Sequence, residues 1–183
     1  ARDEDFIEYV HQANMHSTMM FFTEQGRLYW TKVYELPEGN RQSKGRALQN
    51  MINIQKGDKV CAFIHVKNLS DMEYVQNHYL IFATKNGLMK KTTLEAYSRP
   101  RANGIIALGL REDDRLIRVT LTDGNSQMLV ASYNGKVVRF PEDTVRPMGR
   151  TATGVRAIKL DEDGKDRVIG MICVEQGSKD SVL

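Results

Sequence analysis

What most constrains this chain is that it repeats itself. Three landmarks recur in one order, with a period near 50 residues. The first is a hairpin signal. Met19-Met20-Phe21-Phe22 precedes Glu24-Gln25-Gly26 and Leu28-Tyr29-Trp30; Tyr79-Leu80-Ile81-Phe82 precedes Asn86-Gly87 and Leu88-Met89; Met128-Leu129-Val130 precedes Asn134-Gly135 and Val137-Val138. Tight turns that match strand twist need positive φ, which Gly and Asn tolerate. The second landmark is a glycine 17 to 19 residues after each turn glycine, following a basic stretch and opening an apolar run: Gly45, Gly104 and Gly154. The third is an acidic residue, a spacer and two apolar residues, beginning at Glu4, Asp58, Asp114 and Asp166, at intervals of 54, 56 and 52.

Each unit reads as about four short strands. Val60 to Val66 is β-branched and apolar, turn signals separate the runs, and no long 3.6-residue periodicity intervenes. Glu95-Ala96-Tyr97 and Glu142-Asp143-Thr144 read as loops or single helical turns. Four strands in about 50 residues is the size of a β-propeller blade, which buries its faces only by stacking on neighbours. The expected fold is therefore all-β: an arc of four-stranded blades, with units at roughly 19–66, 79–121 and 128–174. Residues 1–14 read as the end of a preceding blade and 181–183 as the start of a following one. About three complete blades, with partial blades at both ends, are expected.

Other features narrow the function. Hydrophobic residues at 41% and charged residues at 27% exclude collagen-like, coiled-coil and mostly disordered chains. No apolar run approaches the ~20 residues of a membrane helix. The acidic opening, Ala1 to Asp5, has no signal-peptide core, so the expected location is cytoplasmic. Cys61 and Cys173 lie in apolar runs and read as buried, reduced thiols. His11, His16, His65 and His78 lack metal-ligand spacing, so no metal is assigned. Asp161-Glu162-Asp163-Gly164 lacks the ligand alternation of a calcium loop and reads as a solvated turn. No phosphate loop or nucleophile elbow is present, and no catalytic residue is assigned. Trp30, alternating with Leu28, reads as a core or blade-interface residue.

The net charge of +3 is spread unevenly. Windows 27–46, 85–101 and 136–159 hold sixteen basic and five acidic residues; the rest holds ten and eighteen. Basic patches repeated once per unit suit a polyanion. The candidate phosphate contacts are Arg41, Lys44 and Arg46; Lys90, Lys91, Arg99 and Arg101; and Lys136, Arg139, Arg146, Arg150 and Arg156. Arg99-Pro100-Arg101 is the sharpest, with two guanidiniums flanking a proline that restricts the loop. Arg2, Arg111, Lys165 and Lys179 sit beside acids and read as ordinary surface charges.

These residues carry a resemblance. Lys32 to Glu38 with Arg41 and Lys44-Gly45-Arg46, then Asn86 to Thr92, then Glu142 to Leu160 with Val145-Arg146-Pro147-Met148-Gly149, resemble successive blades of the DNA gyrase A C-terminal domain. The resemblance covers nearly the whole chain. It implies a β-pinwheel, a propeller-like ring whose neighbouring blades exchange a strand. It also implies a basic rim that wraps double-stranded DNA and supports ATP-dependent negative supercoiling by a type II topoisomerase. The implied partners are the rest of gyrase A and the gyrase B protein, in a heterotetramer with two copies of each, with no membrane. Mg²⁺ and ATP would be used elsewhere in that enzyme, and no cofactor is expected in this chain. In the family a Gly-, Arg- and Lys-rich box in the first blade supports wrapping; that blade would lie upstream of residue 1, and Arg41 to Arg46 only weakly echoes the box. Alternatives are the related C-terminal domain of topoisomerase IV, a propeller-type protein-interaction module, and a free-standing enzyme with its site in the ring.

Overall fold

The computed structural model describes residues 16–33 and 53–175. Within them lie β1 (Thr18–Thr23), β2 (Arg27–Lys32), β3 (Val60–Val66), β4 (Tyr79–Thr84), β5 (Leu88–Thr93), β6 (Ile105–Ile106), β7 (Leu116–Thr122), β8 (Ser126–Ser132), β9 (Val137–Pro141), β10 (Val155–Arg156) and β11 (Val168–Glu175). Single 3₁₀ turns cover Leu94–Tyr97 and Glu142–Thr144, where the sequence reads as loops or one helical turn. One short helix, α1 (Met72–Gln76), has no counterpart in the sequence reading. Five residues are too few for a periodic pattern, and Asp71 starts the helix by accepting the Tyr74 N–H at 3.2 Å.

The strands form three antiparallel sheets, in the orders β3-β1-β2-β6, β10-β5-β4-β7 and β11-β8-β9. The first two contain a strand that does not belong to their own stretch of sequence. Strand β6 follows β5 in the chain yet pairs with β2, matching Arg27 to Ile106 and Leu28 to Ile105. Strand β10 follows β9 yet pairs with β5, matching Met89 to Val155 and Leu88 to Arg156. Each unit thus lends a two-residue strand to the sheet before it. Strand β7 packs against both β3 and β11, so these three lie side by side, while β6 and β10 lie at the opposite sheet edges.

At two of its three positions the second landmark has a structural cause; Gly45 lies outside the described residues. Gly104 and Gly154 stand at the exchange points with φ of 72° and 104°. A Cβ on Gly104 would lie 2.6 Å from the Tyr29 ring and 2.7 Å from the Leu28 carbonyl oxygen; one on Gly154 would collide with the Met89 carbonyl. Only glycine lets the incoming strand approach its acceptor so closely.

The third landmark also has one. Asp58 Oδ1 accepts the Gln25 and Lys59 N–H groups at 3.1 and 2.8 Å. Asp114 Oδ1 accepts those of Asn86 and Arg115 at 2.9 and 2.8 Å, and Asp166 Oδ1 those of Asn134 and Arg167, both at 3.0 Å. One carboxylate per unit therefore ties the hairpin turn to the strand beside it. A hydroxyl three residues before each turn glycine closes the same turn: Thr23, Thr84 and Ser132 accept the N–H of Arg27, Leu88 and Lys136, each at 3.1 Å. This is a fourth landmark at a fixed offset, absent from the sequence reading above because a lone Ser or Thr in a strand is too common to stand out.

Strand β4 shows how stacking makes the core. Leu80 and Phe82 join Met20, Phe22, Leu28, Val66 and Leu116 between the first two sheets. Ile81 and Ala83, on the other face, join Met89, Met128, Val130, Ile158 and Val168 between the second and third. Successive strand residues point to opposite faces, so an unbroken apolar run marks a strand covered on both. Trp30 is half-buried against the first core and donates from Nε1 to the Tyr97 carbonyl at 3.1 Å, an interface role that matches the sequence reading. Cys61 and Cys173 are free and partly buried, and burial raises the Cys61 thiol to about 12.

Candidate nucleic-acid interface

Each sheet presents two ends. The β1–β2, β4–β5 and β8–β9 turns lie at one. The connections at 94–104 and 142–154, which lead from a 3₁₀ turn into an exchanged strand, begin at the other. Arg99 and Arg101 are exposed in the first connection and Arg146 in the second. The 94–104 connection is anchored: Gly104 donates to the Arg101 carbonyl at 3.0 Å, and Arg27 reaches across from the first sheet to the Asn103 carbonyl at 3.0 Å. Arg156 is exposed on β10, the exchanged strand of the second sheet, and Arg139 is exposed on β9, the edge strand of the third sheet among the described residues. Among the described residues, none of the ion pairs engages Arg99, Arg101, Arg139, Arg146 or Arg156.

Lys136 and Arg150 are more constrained. Lys136 Nζ donates to the Lys159 carbonyl at 2.7 Å and lies 3.9 Å from Asp161. Arg150 is partly buried, its guanidinium donating to the Ile106 carbonyl of the neighbouring exchanged strand. Arg41, Lys44 and Arg46 lie outside the described residues.

Lys90 and Lys91 depart from the expectation of phosphate contacts, because both are buried. They follow one another in β5, so they face the two different cores. Lys90 is 0% exposed, and its Nζ donates to Tyr97 Oη at 3.1 Å, to the Ala107 carbonyl at 2.6 Å and to the Arg150 carbonyl. It also lies 4.8 Å from the Phe82 ring centroid. Burial, with a smaller contribution from the Arg150 charge, pulls its ammonium down to about 7. The ammonium thus joins the segments that carry both exchanged strands. Lys91, on the other face, sits 3.5 Å from Glu142 Oε1 and 4.4 Å above the Tyr79 ring. Glu142 is itself fully buried and accepts the Thr122 hydroxyl and the Ser126 N–H, the latter at 3.0 Å. A Lys-Lys pair after a turn reads as a surface patch only while the covering strand is unknown; here β10 and the 142–152 segment close over it.

The fold and its cations define a class: a propeller-like array whose blades trade an outer strand and whose outward-facing arginines recur from unit to unit. Comparison with known proteins makes the class specific. The sequence profile of the "DNA gyrase C-terminal domain, beta-propeller" family matches residues 17–67, 78–123 and 127–175. The chain belongs to that family. It is 46% identical over 171 residues to DNA gyrase A of Salmonella typhimurium, covering 93% of this chain and 19% of that protein. It is 41% identical over 181 residues to DNA gyrase A of Staphylococcus aureus, covering 99% and 20%. The chain thus spans about a fifth of the length of these relatives. Among solved structures, the C-terminal domain of DNA topoisomerase IV superposes with a TM-score of 0.75 at 28% identity, over 88% of this chain and 48% of that one. The DNA gyrase A C-terminal domain superposes with a TM-score of 0.68 at 20% identity, over 87% and 48%, and bears on the fold alone.

Proposed function

We propose that this chain binds duplex DNA without regard to base sequence and bends it around the arc of blades, as the wrapping part of a gyrase A protein. In the whole enzyme, with gyrase B and its ATP, that bend would feed negative supercoiling. The chain contributes position and curvature; cleavage and ATP hydrolysis belong to other parts of the enzyme.

One observation carries the reading. Among the described residues, exposed arginines without carboxylate partners stand in the two successive connections, Arg99 and Arg101 in one and Arg146 in the next, and on two sheet-edge strands, Arg156 on β10 and Arg139 on β9. Phosphate contacts fix position without reading sequence. Smoothly bending 20 to 30 base pairs costs about 1–6 kcal/mol, which counterion release from several such contacts offsets. Guanidiniums suit the task, since a planar fork meets a phosphate with two hydrogen bonds.

The test is duplex affinity across a salt series. Binding should fall with a slope of about −0.9 per phosphate contact in log K against log salt. Arg99→Ala with Arg101→Ala should make the slope shallower by about 1.8 and weaken binding equally on unrelated sequences. A sequence-dependent loss, or salt-insensitive binding by the unmodified chain, would defeat the proposal.

A further inference from the structure

The hairpin-turn end of the sheets carries cations of its own, and the two junctions between blades differ there. At each junction a short backbone ladder ties one turn to the next blade. At the second, Lys85 donates its N–H to the Arg115 carbonyl at 2.8 Å, and Val168 donates to the Lys85 carbonyl at 2.8 Å. At the first, Glu24 donates to the Lys59 carbonyl at 2.8 Å, and Leu116 donates to the Glu24 carbonyl at 2.9 Å. Glu24 and Lys85 therefore hold the same position in successive units, with opposite charge. Glu24 lies 4.0 Å from the Arg115 guanidinium and partly neutralises it.

At the second junction a groove of about 510 Å³ opens, lined by Lys85, Arg115, Lys165, Arg167, Tyr133 and Asp166 among others. Among the described residues, its one lining carboxylate is committed to the fold. Asp166 accepts the N–H groups of Asn134 and Arg167 on one oxygen and that of Asp161, at 2.8 Å, on the other. The Arg167 guanidinium lies 4.2 Å from the ring centroid of Tyr133, a residue that is 57% exposed. That cation–π contact holds the guanidinium beside the ring at the groove wall. Four cationic residues thus line one opening, Arg115 being the one with a carboxylate, Glu24, beside it from outside the lining.

We infer that this groove is a phosphate-binding site for the DNA backbone, separate from the outer-strand and connection arginines, and that Glu24 closes the equivalent site at the first junction. The inference rests on the reading of the chain as a DNA-binding arc. It extends the contact surface from the outer strands onto the turn end, at the second junction but not at the first.

The experiment uses the 183-residue chain and a duplex of mixed sequence, titrated from ~50 to ~200 mM salt. Each phosphate contact contributes about a 3.5-fold loss of affinity across that range. Lys85→Gln with Arg167→Gln should make the slope shallower by about 1.8, additively with the Arg99/Arg101 variant. Arg167→Lys, which keeps the charge, should keep the slope. Glu24→Lys should make the slope steeper by about 0.9 or more, a gain that no folding defect produces. If the unmodified chain binds steeply but neither the Lys85/Arg167 pair nor Glu24→Lys moves the slope, the groove assignment fails and the arginine reading stands. If the unmodified chain shows no salt-dependent binding, both fall.

Discussion

Strands β5 and β9 are the same strand in consecutive units, each following its turn glycine, Gly87 or Gly135, yet they live in different surroundings. In β5 the first five residues are buried and only Thr93 is partly exposed. In β9 every residue is exposed or half-exposed, Val137 at 59%. The difference is the exchanged strand. Strand β10 lies along the outer edge of β5, whereas among the described residues no strand pairs with the outer edge of β9. Counted from the turn glycine, Lys91 and Arg139 are equivalent. The first is an enclosed ammonium paired with Glu142, and the second is a solvated guanidinium. The role of a cation at this position is thus decided by whether a neighbouring unit covers it, not by its charge or its place in the repeat.

The comparison breaks most completely if the exchange itself is blocked. Gly154→Ala places a Cβ on the Met89 carbonyl, at a φ of 104° that L side chains rarely adopt. Strand β10 should detach and β5 should come to resemble β9, with a loss of about 3 kcal/mol or more in urea unfolding. Gly135→Ala is the control. Its φ is 92°, but nothing lies within 4 Å of the added Cβ, so only the left-handed strain of about 1–2 kcal/mol should appear.

The buried pair comes next. Lys91→Met leaves Glu142 enclosed without its cation and should cost about 3–5 kcal/mol. Lys91→Met with Glu142→Gln should recover a large part, because the replacement amide can accept the Ser126 N–H on its oxygen while its NH2 donates to the Thr122 hydroxyl. Equal losses in the single and double variants would show that the pair is not a coupled unit.

Much of this is legible in the sequence, for a physical reason. Turn glycines, exchange glycines and turn-binding aspartates answer local backbone demands, so they recur at fixed offsets whatever lies around them. The apolar run of β4 likewise announces a strand covered on both sides. The burial of Lys90 and Lys91 is not legible, because it is set by partners far along the chain, Arg150 and Glu142, which no local pattern reveals. The groove at Lys85 is hidden for the same reason. Its cations come from the ends of β4, β7 and β11 and are neighbours only after the blades stack; Lys165, beside Asp166, looks in the sequence like an ordinary surface charge.

The smallest effects sharpen the contrast between covered and uncovered positions. Lys90, held near 7 by burial, is neutralised on folding at a pH where the unfolded chain keeps its lysine charged. The unfolded state therefore binds more protons above pH 7, so this group makes stability rise with pH from about 7 toward its unfolded value near 10.4. That contribution is lost as pH falls toward 7. Unfolding free energies between pH 7 and 9 should climb in the unmodified chain, and the climb should flatten in Lys90→Met. A slope unchanged by that substitution would mean that the two carbonyls and Tyr97 keep the ammonium charged at its ordinary value. At the uncovered position, Arg139→Met should change stability by no more than about 0.5 kcal/mol, with no pH dependence over the same window, while lowering the DNA salt slope by about 0.9. A stability loss as large as that of Lys91→Met would mean that Arg139 is covered after all, and that β9 has found the outer strand which its counterpart β5 receives from β10.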